Sequence, residues 1–313
     1  MKINRFLKSK KEAIGLPMLA LIWISIAWGT TWIASKEGVK HMPSLQLATL
    51  RQFIAGIIFV AFFVFKKAVW PNKNQWKTIV ILAFLNFVFS NGLSLWGLQF
   101  ISSGLGAIIG TLFPIWIIII CFFRGEKVSN LAIKGMILSF IGICVIFGDY
   151  LSDFLNPDFR LGIFVSLIAT VTWAFATLYT KEKAASFNPY FSLGLQMLVS
   201  SAVLFIGTTA AGTTVSIQEI PIEAWYSIAY LVVIGSVFTF VAYIYALQNL
   251  PTELNSIYVY INPIVALVIG AVYNSEPFSV LLLTGGFITL IGLYLVNKSI
   301  RNKKRIPTFS PEN

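Results

Sequence analysis

The sequence predicts an all-α integral membrane protein of ten transmembrane helices, arranged as two inverted five-helix repeats. Three observations lead there. Hydrophobic residues make up 57% of the 313-residue chain and charged residues 11%, far from the averages of soluble domains. Apolar stretches of about 20 residues recur along the chain, each long enough to cross a hydrocarbon layer roughly 30 Å thick. The third observation is that one pattern of residues is written twice, at an offset of 145 to 149 positions. The apolar runs are continuous and lack the alternation of a lipid-facing strand, so helices are expected and a barrel is not.

In order, the spans are read at about residues 15–35, 44–65, 76–97, 104–123, 132–148, 161–180, 190–211, 225–247, 254–273 and 280–297. The basic start "MKINRFLKSKKEA" followed by an apolar run resembles a signal peptide only superficially. The run is longer than a signal core and holds Trp23, Trp28 and Trp32 with no small-residue cleavage site. The expected organisation is a basic cytoplasmic N-terminus (1–14), a first repeat (15–148), an outer linker (149–160), a second repeat (161–297) and a basic cytoplasmic tail (298–313).

The formal charge of +11 raises the question of a nucleic-acid partner, which the placement of the charges answers. With the N-terminus inside, Lys2, Arg5, Lys8, Lys10 and Lys11, then Lys66, Lys67, Lys73 and Lys77, then Arg124, Lys127 and Lys134, then Lys181 and Lys183, and finally Lys298, Arg301, Lys303, Lys304 and Arg305 fall on one side. Only Lys36, Lys40 and Arg160 fall on the other, where Asp149, Asp153, Asp158, Glu219 and Glu223 gather. This is the positive-inside asymmetry. It places both termini in the cytoplasm and leaves no excess charge for nucleic acid to explain. Cys121 and Cys144, in spans 4 and 5 near opposite membrane faces, are expected as unpaired apolar fillers.

The repeat begins with "WGTTWIASKE" (28–37) and "WAFATLYTKE" (173–182), where Trp28 matches Trp173, Lys36 matches Lys181 and Glu37 matches Glu182. At an offset of 149, Leu98, Gln99, Leu105, Pro114 and Ile115 match Leu247, Gln248, Leu254, Pro263 and Ile264. One further residue aligns Glu126, Ser129, Gly135 and Gly142 with Glu276, Ser279, Gly285 and Gly292. Because five is odd, the second copy enters the membrane from the opposite side. Inverted repeats of this kind can exchange conformations, so that a central site faces one side and then the other. The two W-x7-K-E frames then lie at opposite faces, with Lys36, Glu37, Lys181 and Glu182 as gating candidates. Generic interfacial anchoring is the competing account of these residues.

"WGTTW" in span 1, "ATLRQFIAG" in span 2, and Pro114 then Glu126 repeated as Pro263 then Glu276 give the chain its family likeness. From about residue 17 to 297 it resembles the EamA-type members of the drug/metabolite transporter superfamily. The resemblance implies metabolite or amino-acid transport, commonly export, by alternating access. The second half departs at Gln196, where the offset from Arg51 offers no basic residue, so the arginine's role is not carried over.

Arg51 lies about seven residues into span 2, roughly 10 Å deep, and is the only charge placed well inside a span. Such a residue is a functional candidate by default. Snorkelling outward and capping carbonyls of a neighbouring helix are the alternatives. Span 3 carries Asn86, Ser90 and Ser94 at a spacing of four, with Asn91 beside them; the stripe either lines a wet cavity or bonds between helices. Pro114 and Pro263 fall near mid-bilayer and free the carbonyls of Gly110 and Val259. Broken helices at matched places point to a binding site, and plain kinks are the alternative.

The expected site lies at mid-membrane between the halves, around spans 4 and 9 and walled by spans 1, 3, 6 and 8. Trp28, Asn86, Ser90, Asn91, Thr111, Pro114, Trp173, Tyr243, Tyr260 and Pro263 are its substrate-binding candidates. Thr111 and Tyr260 stand one turn before the prolines, where their hydroxyls either meet the solute or cap the loosened backbone. Aromatic surface from Trp28, Trp32, Phe113, Trp116, Trp173, Tyr243, Tyr258 and Tyr260 favours an aromatic or amphipathic amino acid. The acids Glu37, Glu182 and Glu253 sit at span ends, so no deep carboxylate is expected to drive proton coupling.

The one histidine, His41, is placed in an outer loop, no metal-ligand spacing occurs and no acidic pair lies within a span. A carrier without catalytic residues, cofactor or metal is therefore expected. A membrane enzyme, or a sensor without flux, explains the inverted repeat less well. The expected partners are a small-molecule solute and the lipid bilayer of the cytoplasmic membrane. Nothing in the sequence sets the oligomeric state.

Overall fold

The computed structural model describes residues 2–126, 128–183, 187–250, 258–273 and 279–305, and among these the regular structure is entirely helical. The helices are α1 (Lys2–His41), α2 (Ser44–Phe65), α3 (Lys73–Gly97), α4 (Ser103–Phe123), α5 (Asn130–Phe147), α6 (Pro157–Lys183), α7 (Pro189–Ala210), α8 (222–249), α9 (Tyr258–Tyr273) and α10 (Val280–Arg305). Among the described residues nine are long and apolar enough to span a membrane, and α9 is a shorter apolar helix. Two ends differ from expectation. His41 is the last residue of α1 rather than part of a loop, and α6 begins at Pro157, a residue suited to a first helical position because its missing N–H is an orphan there anyway.

Helix ends are set by local chemistry. Asn72 accepts from the Asn74 and Gln75 amides while Gln75 bonds back to the Asn72 amide, a reciprocal cap on α3. Asn188 caps α7 ahead of Pro189, and Ser129 caps α5. The C-terminal turns carry the repeat. After α2, Ala68 N bonds Phe63 O at 3.0 Å and Lys67 N bonds Val64 O at 2.9 Å; after α7, Thr213 N bonds Thr208 O at 3.0 Å and Gly212 N bonds Thr209 O at 3.1 Å. Both turns pass through a left-handed residue, Lys67 at φ 52° and Gly212 at φ 65°, 145 positions apart. Glycine adopts that backbone freely, whereas lysine does so at a cost of about 1–2 kcal/mol.

The chain forms two compact units, one of Met1–Thr111 with Pro157–Glu276, the other of Leu112–Asn156 with Pro277–Asn313. In the first, α1 packs on α8 and α9, α6 packs on α3 and the first half of α4, and α2 packs on α7. Exchanging helices one to five with six to ten turns the pairings of α1 into those of α6 and leaves α2 on α7 as it is. In the second unit α5 packs on α10, a pairing that maps onto itself. Their backbones touch: a Cβ added at Gly135 would lie 2.6 Å from Gly292 O, and one at Gly285 would lie 2.5 Å from Gly142 O. Ser139 Oγ donates to Thr289 O at 3.2 Å, and the Ser129 and Ser299 hydroxyls bond at 2.6 Å. Cys121 and Cys144 are not joined in a disulfide, and Cys144 is exposed on the helix surface rather than filling a core.

Three interruptions shape the spans. In α3 the segment Ala83–Gly92 is a π-helix, and in α8 so is Leu231–Phe238; at the repeat offset of 149 the two overlap. Helix α4 stops at Gly110, turns through Thr111 and Leu112 and resumes at Phe113, which places Pro114 in the first turn of the new helix. Helix α9, by contrast, continues through Pro263 from Tyr258 to Tyr273, so the expectation of two proline-broken helices holds for α4 only. A proline removes one backbone bond and crowds one carbonyl, and packing around it decides whether the helix ends.

Candidate functional site

The π segment of α8 is where side chains from other helices converge in the first unit. A π-helix bonds each carbonyl to the amide five residues on, which widens the turn and shifts side chains out of the ordinary register. Trp28 Nε1 donates to Gly235 O at 3.2 Å, and Arg51 Nε donates to Ser236 Oγ at 3.0 Å. Thr239 Oγ1 donates back to Ile234 O at 2.6 Å and accepts from Trp23 Nε1 at 3.1 Å. Gly235 makes room for this: a Cβ there would sit 2.8 Å from Thr31 Cγ2 and 3.3 Å from Arg51 Nη2.

Four rings meet just beyond that segment. Trp28 lies 5.3 Å from Phe240 and 5.3 Å from Tyr258, both edge-on, and 5.1 Å from Tyr243; Tyr243 and Tyr258 are 5.9 Å apart at 84°. Tyr258 is buried, while Trp28, Phe240 and Tyr243 remain partly exposed. Edge-to-face contacts of this kind contribute about 0.5–1.5 kcal/mol each beyond burial. The arrangement is asymmetric across the repeat, because Trp173 is half-buried in α6 with no ring contact among the described residues. Its carbonyl accepts from Thr177 Oγ1 at 2.8 Å.

Arg51 is 7% exposed. It has not snorkelled outward, and among the described residues it caps no carbonyl and pairs with no carboxylate; its one bond goes to the Ser236 hydroxyl. The corresponding residue of the second repeat, Gln196, is bonded to α3 instead, accepting from Asn86 Nδ2 at 2.9 Å and donating to Ser192 Oγ at 2.9 Å.

Asn86, Ser90 and Asn91 lie in the π segment of α3, and Ser94 lies just beyond it. Asn91 Oδ1 accepts from Gln52 Nε2 at 3.2 Å, which also donates to Phe87 O at 3.2 Å, and Ser200 Oγ donates to Gln52 Oε1 at 2.5 Å. Asn86 and Asn91 therefore bond α3 to α7 and α2, and Ser90 is buried. Gln52, Ser200, Ser236 and Phe240 are the residues that sequence reasoning missed. Gln52 and Ser200 carried a signal, as polar groups inside apolar spans.

The other candidates fall as follows. Thr111, buried at the break in α4, donates its hydroxyl to Ile108 O at 2.7 Å, the backbone-capping alternative. Tyr260 is half-buried near the start of described α9, and Pro263 is buried. Pro114 belongs to the second unit and the remaining candidates to the first. Trp32 packs on the glycine face of α4, where a Cβ at Gly106 or at Gly110 would lie 3.0 Å from its ring. Lys36 Nζ donates to Leu98 O at 2.7 Å, satisfying a carbonyl at the end of α3. Glu37 pairs with Lys40 at 2.6 Å and His41 at 2.9 Å on its own helix. Lys181 and Glu182 close α6, and their side chains, like Glu253 and Glu276, lie outside the described residues.

Comparison with known proteins gives the same architecture a family. The EamA-like transporter family pattern matches twice, over residues 15–148 and 160–298. The uncharacterized transporter YoaV of Bacillus subtilis is 24% identical over 92% of this chain and 98% of its own length. The uncharacterized inner membrane transporter YedA of Escherichia coli K12 is 28% identical over 84% and 85%, and the WAT1-related chloroplastic protein At3g02690 of Arabidopsis thaliana is 27% identical over 91% and 70%. A crystal structure with 15% identity and a TM-score of 0.65, covering 92% of this chain and 98% of that one, has the same fold. With ten membrane helices in two inverted repeats and the family pattern matched across both, the chain belongs to the EamA-like transporter family.

Proposed function

We propose that the protein carries small organic metabolites out of the cell across the cytoplasmic membrane by alternating access, amino acids with an aromatic or otherwise amphipathic body foremost among them. The observation that carries the reading is the ring cluster of Trp28, Phe240, Tyr243 and Tyr258 beside the π segment of α8. Aromatic faces with a few placed polar groups suit a solute that is apolar at one end. The inverted repeat supports alternating access, since two copies of one unit can exchange conformations. Solute is carried unchanged, without a chemical step.

The test is a comparison of metabolites inside and outside cells with and without the protein, followed by flux of the enriched compounds into proteoliposomes. Amino acids or related compounds should accumulate outside expressing cells by at least severalfold. A change confined to inorganic ions or nucleotide sugars would remove the solute class, and no flux at all would favour a sensor. The proposed orientation, with both termini in the cytoplasm, is checked separately. A reporter fused after Asn313 should be active only as a cytoplasmic fusion, and activity on the outer side would reverse the topology.

A further inference from the structure

We infer that Arg51 receives the carboxylate of the carried solute, so that the protein selects organic acids and zwitterions over their neutral or purely cationic counterparts. The inference rests on the carrier reading and adds the charge of the substrate to it.

A guanidinium offers five N–H donors in a planar fork that matches a carboxylate, and it stays charged in any protein environment. Arg51 spends one donor, its Nε, on Ser236 Oγ at 3.0 Å. Its Nη groups, the fork that takes a carboxylate two-handed, meet no acceptor among the described residues. The residue is 7% exposed in a helix that otherwise reads as lipid-spanning. A buried cation without a counter-ion is costly enough that such groups are ordinarily paired. If the charge served packing alone, a carboxylate or a row of carbonyls would face it. The acid nearest in kind, Glu37, is held by Lys40 and His41 on its own helix.

The neighbourhood sets what the carboxylate is attached to. Gly235 and Ser236 are consecutive, and they receive Trp28 Nε1 and Arg51 Nε respectively. The open guanidinium fork and the indole are thus anchored on one turn of α8, with Tyr243 and Phe240 next along the ring cluster. An acid group with an apolar body one or two bonds away meets both. Gln196 at the matching place in the second repeat carries no charge and is already bonded on both sides, so that place offers no second acid-binding position and the solute takes a defined orientation.

The test uses purified full-length protein in proteoliposomes, with empty liposomes subtracted. Four labelled probes separate charge from shape: L-phenylalanine, N-acetyl-L-phenylalanine, L-phenylalaninamide and N-acetyl-L-phenylalaninamide. The two acids should be carried at least tenfold faster than the two amides, the scale of a charge-assisted bidentate contact. Arg51→Gln should slow the acids at least tenfold, to the rate of the amides, while Arg51→Lys, which keeps the charge and loses the fork, should fall between. Should Arg51→Gln prove unstable in a parallel unfolding measurement, the wild-type comparison of acids with amides and the Arg51→Lys result still decide. Amides carried as fast as acids would overturn the inference and leave the carrier reading standing. Transport of none of the four by the wild-type protein would remove both for this solute class. Acid transport unaltered in a folded Arg51→Gln protein would show that another group takes the carboxylate. A lipid phosphate occupying Arg51 would make the variant's effect equal for all four probes, which also overturns the inference.

Discussion

Gly285→Ala should lose most of its folded yield in detergent, while Gly286→Ala, one residue further along α10, should unfold at the wild-type temperature. A Cβ at Gly285 would lie 2.5 Å from Gly142 O, 2.7 Å from Ile146 Cγ1 and 2.8 Å from Ile146 N, whereas at Gly286 nothing lies within 4 Å. Two of the three obstructing atoms are backbone, so no rotamer change relieves the clash and α5 must move bodily away from α10. Separation weakens Ser139 Oγ to Thr289 O and the Ser129–Ser299 pair together. In a bilayer, lipid covers apolar surface as well as protein does, so close contact of small residues and hydrogen bonds are what hold helices together. Overpacking costs about 1–3 kcal/mol even where side chains can yield, and here they cannot. Equal unfolding temperatures for the two alanine variants would show that backbone contact does not hold this pair.

Trp28→Ala should destabilise the first unit by about 3 kcal/mol, at the lower end of the range for removing a packed tryptophan because one side of the ring is open. The variant loses three ring contacts at 5.1 to 5.3 Å and the bond to Gly235 O. The Gly235 carbonyl sits in a π-helix, where the ladder is already stretched. Trp173→Ala is the matched control at the same place in the second repeat and, lacking ring partners among the described residues, should cost under about 1 kcal/mol. Thermal unfolding of both variants side by side measures the difference. A larger loss at Trp173 would contradict the weight given to the ring contacts of Trp28. Carrier flux should fall with Trp28→Ala more steeply than stability does, because the ring cluster is also the proposed solute surface.

Helix number and the equivalence of the two halves were legible because hydropathy in a membrane chain is a long-range signal and the repeat offset says which helices correspond. Matching Gly135 with Gly285 requires only counting. The backbone register inside a span is a different matter. Nothing in "AFLNFVFSNG" distinguishes 3.6 residues per turn from a wider π turn, and the side chains that bond to this segment, Gln52 and Gln196, lie 35 and 110 residues from their partners. Arg51 was visible as an oddity, but Ser236, 185 residues away, was not visible as its partner. Pro114 and Pro263 show the limit most plainly. Matched prolines on matched helices give a break in one and an unbroken helix in the other, because the surroundings of each decide and the residue itself does not.

The discontinuity of the second unit has a consequence in time. In it α5 and α10 meet through residues such as Ser139 and Thr289, 150 positions apart in the chain. A ribosome adding 5–20 residues per second takes on the order of 10 to 30 s to cover that distance. For that interval Gly135, Ser139 and Gly142 of α5 lack the α10 partner that they touch in the folded protein. Helix α10, made well after α5, thus completes the second unit. A chain stopped before α10 would leave that small-residue face of α5 open to other helices and to membrane quality control, although every span up to α9 had been inserted.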